Sequence, residues 1–169
     1  MRRRAGSAEA LGTVADTVAD NQTMTRVREK VSIAAPPRAV WNAVHEDLSN
    51  APRWAGYLRR AEALPSSAGG GRRVRYELDL PGGFEAGLVL EYTTWDPPRR
   101  ATGRFADGPL DGTWSYTYTP RNGGTELVYE MDYGLKGLLR FAGGVLKGQY
   151  EEGIRRGMAM LKEYVESSQ

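Results

Sequence analysis

Apolar side chains fall on every second position through most of 59–135 and on every third or fourth position through 136–167. The first period predicts strands and the second predicts one long helix. On that helix Leu138, Ala142, Val145 or Leu146, Tyr150, Ile154, Met158, Leu161 and Val165 share a stripe, while Lys147, Glu151, Glu152, Arg155, Arg156, Lys162 and Glu163 lie off it. Strands this rich in apolar residues cannot leave their inner face in water, and the helix stripe needs a partner. A curved antiparallel sheet around the C-terminal helix satisfies both. Gly137, Gly143, Gly144, Gly148, Gly153 and Gly157 interrupt the helical stretch, each costing a helix interior roughly 1 kcal/mol relative to alanine. Two readings explain them: close packing of helix on sheet, or space kept open for a ligand, with Gly143-Gly144 hinging the first turns as a lid. The charged face argues against membrane-type helix pairing through small residues.

Upstream, Val27, Val31 and Ile33 alternate with charges over 26–34 and predict a first strand. Pro36-Pro37 then suits a helix start. Val40, Trp41, Val44 and Leu48 mark a helix of roughly three turns, and 49–54 read as a break followed by a very short second helix. A short strand over 59–64 and a turn-rich loop over 65–71 lead into 72–80, where Val74, Tyr76, Leu78 and Leu80 share one face. After Pro81-Gly82-Gly83 the strand over 84–95 places Phe84, Ala86, Leu88, Leu90, Tyr92 and Thr94 on one face, and another strand follows over 99–106. The clearest local signal is the last hairpin. Trp114, Tyr116 and Tyr118 answer Leu127, Tyr129, Met131 and Tyr133 across Asn122-Gly123-Gly124, a sequence that supplies the positive backbone angles of a tight turn.

With 169 residues the chain suits one domain, and a formal net charge of +2 gives no reason to expect nucleic acid as a partner. The absence of cysteine excludes disulfides, thiolate nucleophiles, iron–sulfur clusters and Cys-based zinc sites. No apolar run reaches the ~18–20 residues of a membrane span, and the start lacks the apolar core of a signal peptide. A cytoplasmic location is expected. Residues 1–23, opening on Arg2-Arg3-Arg4, are expected to be a disordered leader, with Met24 as an alternative first residue.

Catalytic chemistry is sparse. His45 is the sole histidine, which excludes a His-rich metal site; it reads as an exposed or structural residue, with a lone acid–base role as the alternative. The pairs Glu130/Asp132 and Glu77/Asp79 sit on outward positions of their strands and read as solvated, not as a glycosidase dyad. No catalytic residue and no metal ligand is assigned. The aromatics say more: Tyr76, Tyr92, Trp114, Tyr116, Tyr118, Tyr129 and Tyr133 all fall on inner positions, where each polar tip needs a partner. They are either ordinary core aromatics or the wall of a site for a ligand with a few oxygens.

The order of elements, together with Val31-Ser32-Ile33-Ala34-Ala35-Pro36, Val40-Trp41, Trp54, Trp95-Asp96-Pro97, Gly112-x-Trp114-x-Tyr116, Gly123-Gly124-Thr125-x-Leu127 and Glu163-Tyr164-Val165, resembles the START/Bet v1-like helix-grip superfamily (SRPBCC), in particular its polyketide cyclase/dehydrase-like members. The resemblance implies an α+β helix-grip domain over 24–169. Its curved antiparallel sheet of about seven strands would surround the C-terminal helix, with two short helices after the first strand. It also implies an apolar cavity between sheet and helix that takes a lipid, isoprenoid, quinone or polyketide-like molecule, without a cofactor. On this template the lining residues are Trp54, Tyr76, Phe84, Leu88, Leu90, Tyr92, Trp114, Tyr116, Tyr129, Met131, Val145, Tyr150, Ile154 and Met158. Cyclases of this type place an arginine and aromatics on the strand before the W-D-P turn. Here the matching positions are Leu88, Leu90 and Thr94, with Arg104, Arg59 or Arg60 as candidate substitutes. The alternatives are an aromatase/cyclase acting mainly by substrate positioning, and a non-enzymatic quinone-chaperone or ribosome-associated protein, for which a contiguous rim of Arg59, Arg60, Arg72, Arg73, Arg99 and Arg100 would speak. Monomer and homodimer both remain open.

Overall fold

Pro36 in an extended conformation and Pro37 at the first helical position start a short helix, α1 (Pro37–Trp41), directly after strand β1 (Thr25–Ile33). The computed structural model describes residues 23–80 and 82–169, apart from the side chains of 142, 143, 145 and 146. All but Thr23 of the expected leader, and Pro81 of the expected turn, lie outside the described residues.

The expected three-turn helix is broken into pieces. α1 widens into a π-helical turn (Asn42–Glu46), and a 3-10 turn (Leu48–Arg53) follows. Strands β2 (Leu58–Leu64), β3 (Arg73–Leu80), β4 (Phe84–Asp96), β5 (Arg100–Asp107), β6 (Leu110–Arg121) and β7 (Gly124–Leu135) form an antiparallel meander, and β1 pairs with β7 to give the order β1-β7-β6-β5-β4-β3-β2. A further 3-10 turn (Gly137–Ala142) leads into α2 (Gly143–Ser167). The fold is thus the expected α+β helix-grip arrangement, with seven strands around the C-terminal helix.

The β6–β7 hairpin closes as its sequence dictates. Arg121 pairs with Gly124 across Asn122 (φ 50°) and Gly123 (φ 78°), the two consecutive positive angles of a type I′ turn. Its register places Trp114 opposite Met131 and Tyr116 opposite Tyr129, and so builds the aromatic inner face.

Two expectations fail for local geometric reasons. In β4 the pairing runs Tyr92 with Gly103 and then Thr94 with Thr102, so Thr93 is an extra residue. That bulge reverses the alternation: Thr94 is exposed, and Trp95 instead packs on Trp41 at 4.9 Å between centroids. The C-terminal helix also starts later than 136. Gly137 at φ +61° ends the strand path, and the following turn has a period of three, which takes Leu138 off the buried stripe and leaves it 86% exposed. From Tyr150 onward the stripe is as expected, with Met158, Leu161 and Val165 buried. The C-terminal turns are tied to β1: Lys162 Nζ donates to Ser32 O at 2.9 Å, and Ala34 N donates to Glu166 Oε1 at 2.7 Å.

Candidate ligand-binding cavity

Between α2 and the concave sheet lies a cavity with about 130 Å³ of space for the centre of a water-sized molecule. Tyr76 and Leu78 of β3, Leu88 and Leu90 of β4, Phe105 of β5, Trp114 and Tyr116 of β6 and Tyr129 of β7 form the sheet wall. Tyr150, Gly153, Ile154, Gly157 and Met158 of α2 form the opposite wall, and the segment from Trp54 to Leu58 borders the space between them. None of the lining residues carries a charge.

Ten of the residues singled out from sequence therefore border one space: Trp54, Tyr76, Leu88, Leu90, Trp114, Tyr116, Tyr129, Tyr150, Ile154 and Met158. Four do not. Phe84, the first residue of β4, is 62% exposed and does not border the cavity, which corrects its placement in the wall. Met131, opposite Trp114 in the register, is buried without bordering the cavity, and its sulfur accepts the Tyr129 hydroxyl at 3.2 Å. Tyr92 points into a separate polar cluster, and the side chain of Val145 lies outside the described residues.

That cluster centres on His45. The imidazole is 1% exposed, with Nδ1 at 2.9 Å from the Tyr92 hydroxyl and Nε2 at 2.8 Å from the Tyr118 hydroxyl. A neutral imidazole offers one donor and one acceptor, so one tyrosine donates to it and the other accepts from it. Burial, reinforced by the nearby Arg72 charge, pushes the imidazole down from 6.5 to about 3 and keeps it neutral. Arg72 caps the cluster: its Nη2 donates to His45 O at 2.8 Å, and its guanidinium lies 4.3 Å from the Trp95 ring centroid. His45 is thus a structural core residue that touches the cavity only through the Tyr116 ring, 5.2 Å away between centroids.

The cavity tyrosines are donors, not bases. Burial holds Tyr116 and Tyr129 well above the ordinary phenol value and raises Tyr76 to about 12. The indole N–H groups of Trp54 and Trp114 are buried with no partner in the protein. The arginines considered as cyclase substitutes lie elsewhere: Arg104 pairs with Glu91 at 3.0 Å, Arg59 with Glu77, Asp79 and Glu85, and Arg60 with Glu62. Arg99 is likewise held by Asp96, so these rim arginines are largely matched by carboxylates. Among the described residues no three His, Cys, Asp or Glu side chains are grouped to hold a metal ion.

Sequence reading missed Tyr57, which sits in the short connection before β2. Its hydroxyl donates to Gln149 O at 3.1 Å, and its ring lies on α2 where Gly153 has no side chain; a Cβ there would fall 1.8 Å from the ring. The signal was the helical glycine, whose partner proves to be this ring and not the sheet. Gly153→Ala should dislodge Tyr57 while gaining up to about 1 kcal/mol of helix propensity. Ligand exchange followed by stopped-flow fluorescence is expected to speed up several-fold with little change in melting temperature; unchanged exchange would show that Tyr57 does not gate the cavity.

An antiparallel sheet gripping a C-terminal helix over an uncharged aromatic cavity defines a helix-grip ligand-binding domain. The chain matches the model of the family described as polyketide cyclase / dehydrase and lipid transport over residues 24–166, and it belongs to that family. Solved structures agree on the fold. The Zhui aromatase/cyclase from Streptomyces sp. R1128 superposes with a TM-score of 0.71 at 19% identity, covering 85% of this chain and 94% of that one. A protein of Thermus thermophilus gives 0.69 at 21% identity (85% and 99% covered), and a START superfamily protein from Mycobacterium smegmatis gives 0.66 at 16% (85% and 99%). No curated protein matches the sequence. Family and fold together place the chain among proteins that bind hydrophobic ligands or cyclise polyketides. No helix among the described residues is long and apolar enough to cross a membrane.

Proposed function

We propose that this protein binds a neutral, largely apolar small molecule bearing carbonyl or ether oxygens, of the quinone, isoprenoid or polyketide kind, in the cavity between the sheet and α2. The observation that carries the reading is the chemistry of the wall: no charge, extensive aromatic surface, and phenol hydroxyls able to donate hydrogen bonds. Burial of apolar surface drives binding at about 25 cal/mol per Å². A donor that meets a ligand oxygen ceases to be an unsatisfied buried group, which fixes orientation as well as affinity. A carboxylate or ammonium ligand would enter this space without a counter-charge and is disfavoured.

Native mass spectrometry of protein purified gently from its own host, followed by solvent extraction, tests this directly; a bound quinone, isoprenoid or polyketide-like compound is expected. In parallel, menadione is expected to quench the intrinsic tryptophan fluorescence saturably. Leu90, inside the wall and paired with Val74 and Phe105, is the residue to enlarge. Leu90→Trp should weaken menadione binding by at least about tenfold through filling the cavity, at an overpacking cost of ~1–3 kcal/mol. Equal menadione affinity in a folded Leu90→Trp protein would remove the cavity assignment.

The family description supports a second reading, a cyclase or dehydrase that holds a reactive chain in a productive shape. Tyrosines with raised pKa values serve it as hydrogen-bond donors to carbonyl oxygens, not as proton-abstracting bases. An open-chain compound extracted together with its cyclised product would favour this reading over a carrier.

A further inference from the structure

The sheet has two edge strands, β1 and β2, and the protein treats them differently. α2 packs along β1: Lys162 donates to Ser32 O, Glu166 accepts from Ala34 N just beyond the strand, and Arg155 pairs with Glu29 at 3.4 Å. β2 pairs with β3 on one side and, among the described residues, with no strand on the other. No backbone group of residues 59–64 has a hydrogen-bond partner beyond β3, and Arg59, Arg60 and Ala63 are exposed. Proline, which blocks an edge most simply, is absent from β2.

The charges along this edge are ordered. From Arg60 onward the pairing with β3 is regular, the irregularity falling between Leu58 and Arg60. Ala61 packs toward the core, so Arg60 and Glu62 point to the outer face, Arg60 level with Glu77 and Glu62 level with Arg75 on β3. Within the strand Arg60 already meets Glu62 at 2.7 Å, so a neighbouring strand is selected by register and not by an unmatched charge. A second β2 laid antiparallel against the open edge sets residues of the same face opposite each other about a two-fold axis. An axis at Arg60 or at Glu62 sets like charges opposite each other, and an axis at Ala63 draws Pro65 into the ladder. An axis at Ala61 sets Arg60 of each copy opposite Glu62 of the other. Both outer rows then alternate in sign across four strands, running Glu77, Arg60, Glu62, Arg75 and the reverse.

We propose that β2 pairs with β2 of a second copy of this chain in that register, joining the two sheets across a two-fold axis at Ala61. An isologous contact needs a surface that matches its own rotated copy, and the Arg60–Glu62 stretch does. Backbone hydrogen bonds supply the attraction, and the outer charges choose the register. The pairing is short, so the dimer is weak and forms in the micromolar range. It stands independently of whether the cavity holds a ligand.

The test is a pair of charge swaps in the full chain, followed by sedimentation velocity across the micromolar range. Arg60→Glu sets carboxylate against carboxylate and Glu62→Arg sets guanidinium against guanidinium, so each alone should weaken dimerisation at least about tenfold. Mixed in equal amounts, the two variants regain opposite charges at both positions, and a heterodimer is expected to form. The chain has no cysteine, so Ala61→Cys carries a single thiol per copy and should give a disulfide-linked dimer under mild oxidation. Ala63→Cys is the control: in this register its two copies lie four residues, or about 13 Å, apart along the strand, beyond disulfide reach. If a charge variant fails to fold, the cysteine pair decides alone. A parent that stays monomeric throughout overturns the proposal. So does a mixture of folded variants that stays monomeric, or cross-linking of Ala63→Cys as fast as that of Ala61→Cys.

Discussion

Gly103→Ala is expected to destabilise the protein by about 2–4 kcal/mol, read as a lower denaturation midpoint at unchanged slope. Gly103 sits in β5 directly under the Trp114 indole, paired with Tyr92 on one side and Trp114 on the other. A Cβ built there falls 2.2 Å from Trp114 Cζ2 and 2.4 Å from the carbonyl oxygen of Glu91. The first neighbour is a buried ring, 4.8 Å from Tyr92 between centroids, and the second is backbone of the adjacent strand. Neither moves cheaply. Displacing Trp114 also deforms the cavity wall, so menadione affinity should fall together with stability. Gly148→Ala is the control. Its added methyl meets nothing within 4 Å on the exposed side of α2, and a gain of roughly 0.5–1 kcal/mol is expected from helix propensity. Equal effects of the two substitutions would mean that the contact at Trp114 does not set the cost.

Periodicity makes most of the frame legible. β3 alternates in sequence as in space, the Asn122-Gly123 turn fixes the β6–β7 register, and the second half of α2 buries the side chains its stripe presents. What a period cannot show is where the period slips. Thr94 leaves its expected face because one bulged residue reverses every position after it, and Leu138 leaves the stripe because a turn of three residues replaces a helix of 3.6. Phe84 obeys the alternation of its strand, but alternation does not say how far along the strand the cavity extends. The cavity wall is readable because its residues lie on regular elements. Tyr57 is not, because it lies in a connection and its contact depends on a missing side chain in another element. His45 reads from sequence as structural or exposed, but without named partners. Tyr92 and Tyr118 each advertise the need for a polar partner, yet pairing them with a helical residue 47 and 73 positions away requires the fold.

The same cluster yields the second large effect, a loss of stability on mild acidification that disappears in His45→Gln. The folded-state value of the imidazole is depressed from 6.5 to about 3, chiefly by burial and then by Arg72. Between these limits the unfolded chain binds a proton that the folded chain refuses, so stability is complete above pH 6.5 and declines as pH falls toward 3. The expected slope approaches about 1.4 kcal/mol per pH unit. His45 is the sole histidine, and no other side chain titrates in the upper part of this window. Asp47, Asp96, Asp132 and Glu166 have lowered values and add losses of the same sign only once pH reaches the ordinary carboxylate range. Urea unfolding at several pH values between 7 and 5 isolates the histidine, with the slope and not the absolute stability as the readout, because glutamine also gives up ring packing on Trp41 at 4.4 Å. A parent protein with a flat profile would mean that the imidazole finds water or a counter-charge in the folded state. With the expected slope, protonation would reverse the hydrogen bond in which His45 accepts: that tyrosine hydroxyl, Tyr92 or Tyr118, would turn to accept from the imidazolium and its own O–H would lose its acceptor. Tyr92 packs on Trp114 and Tyr118 stacks on Tyr116 at 6.4 Å, so the aromatic wall of the cavity would loosen in acid before the chain unfolds.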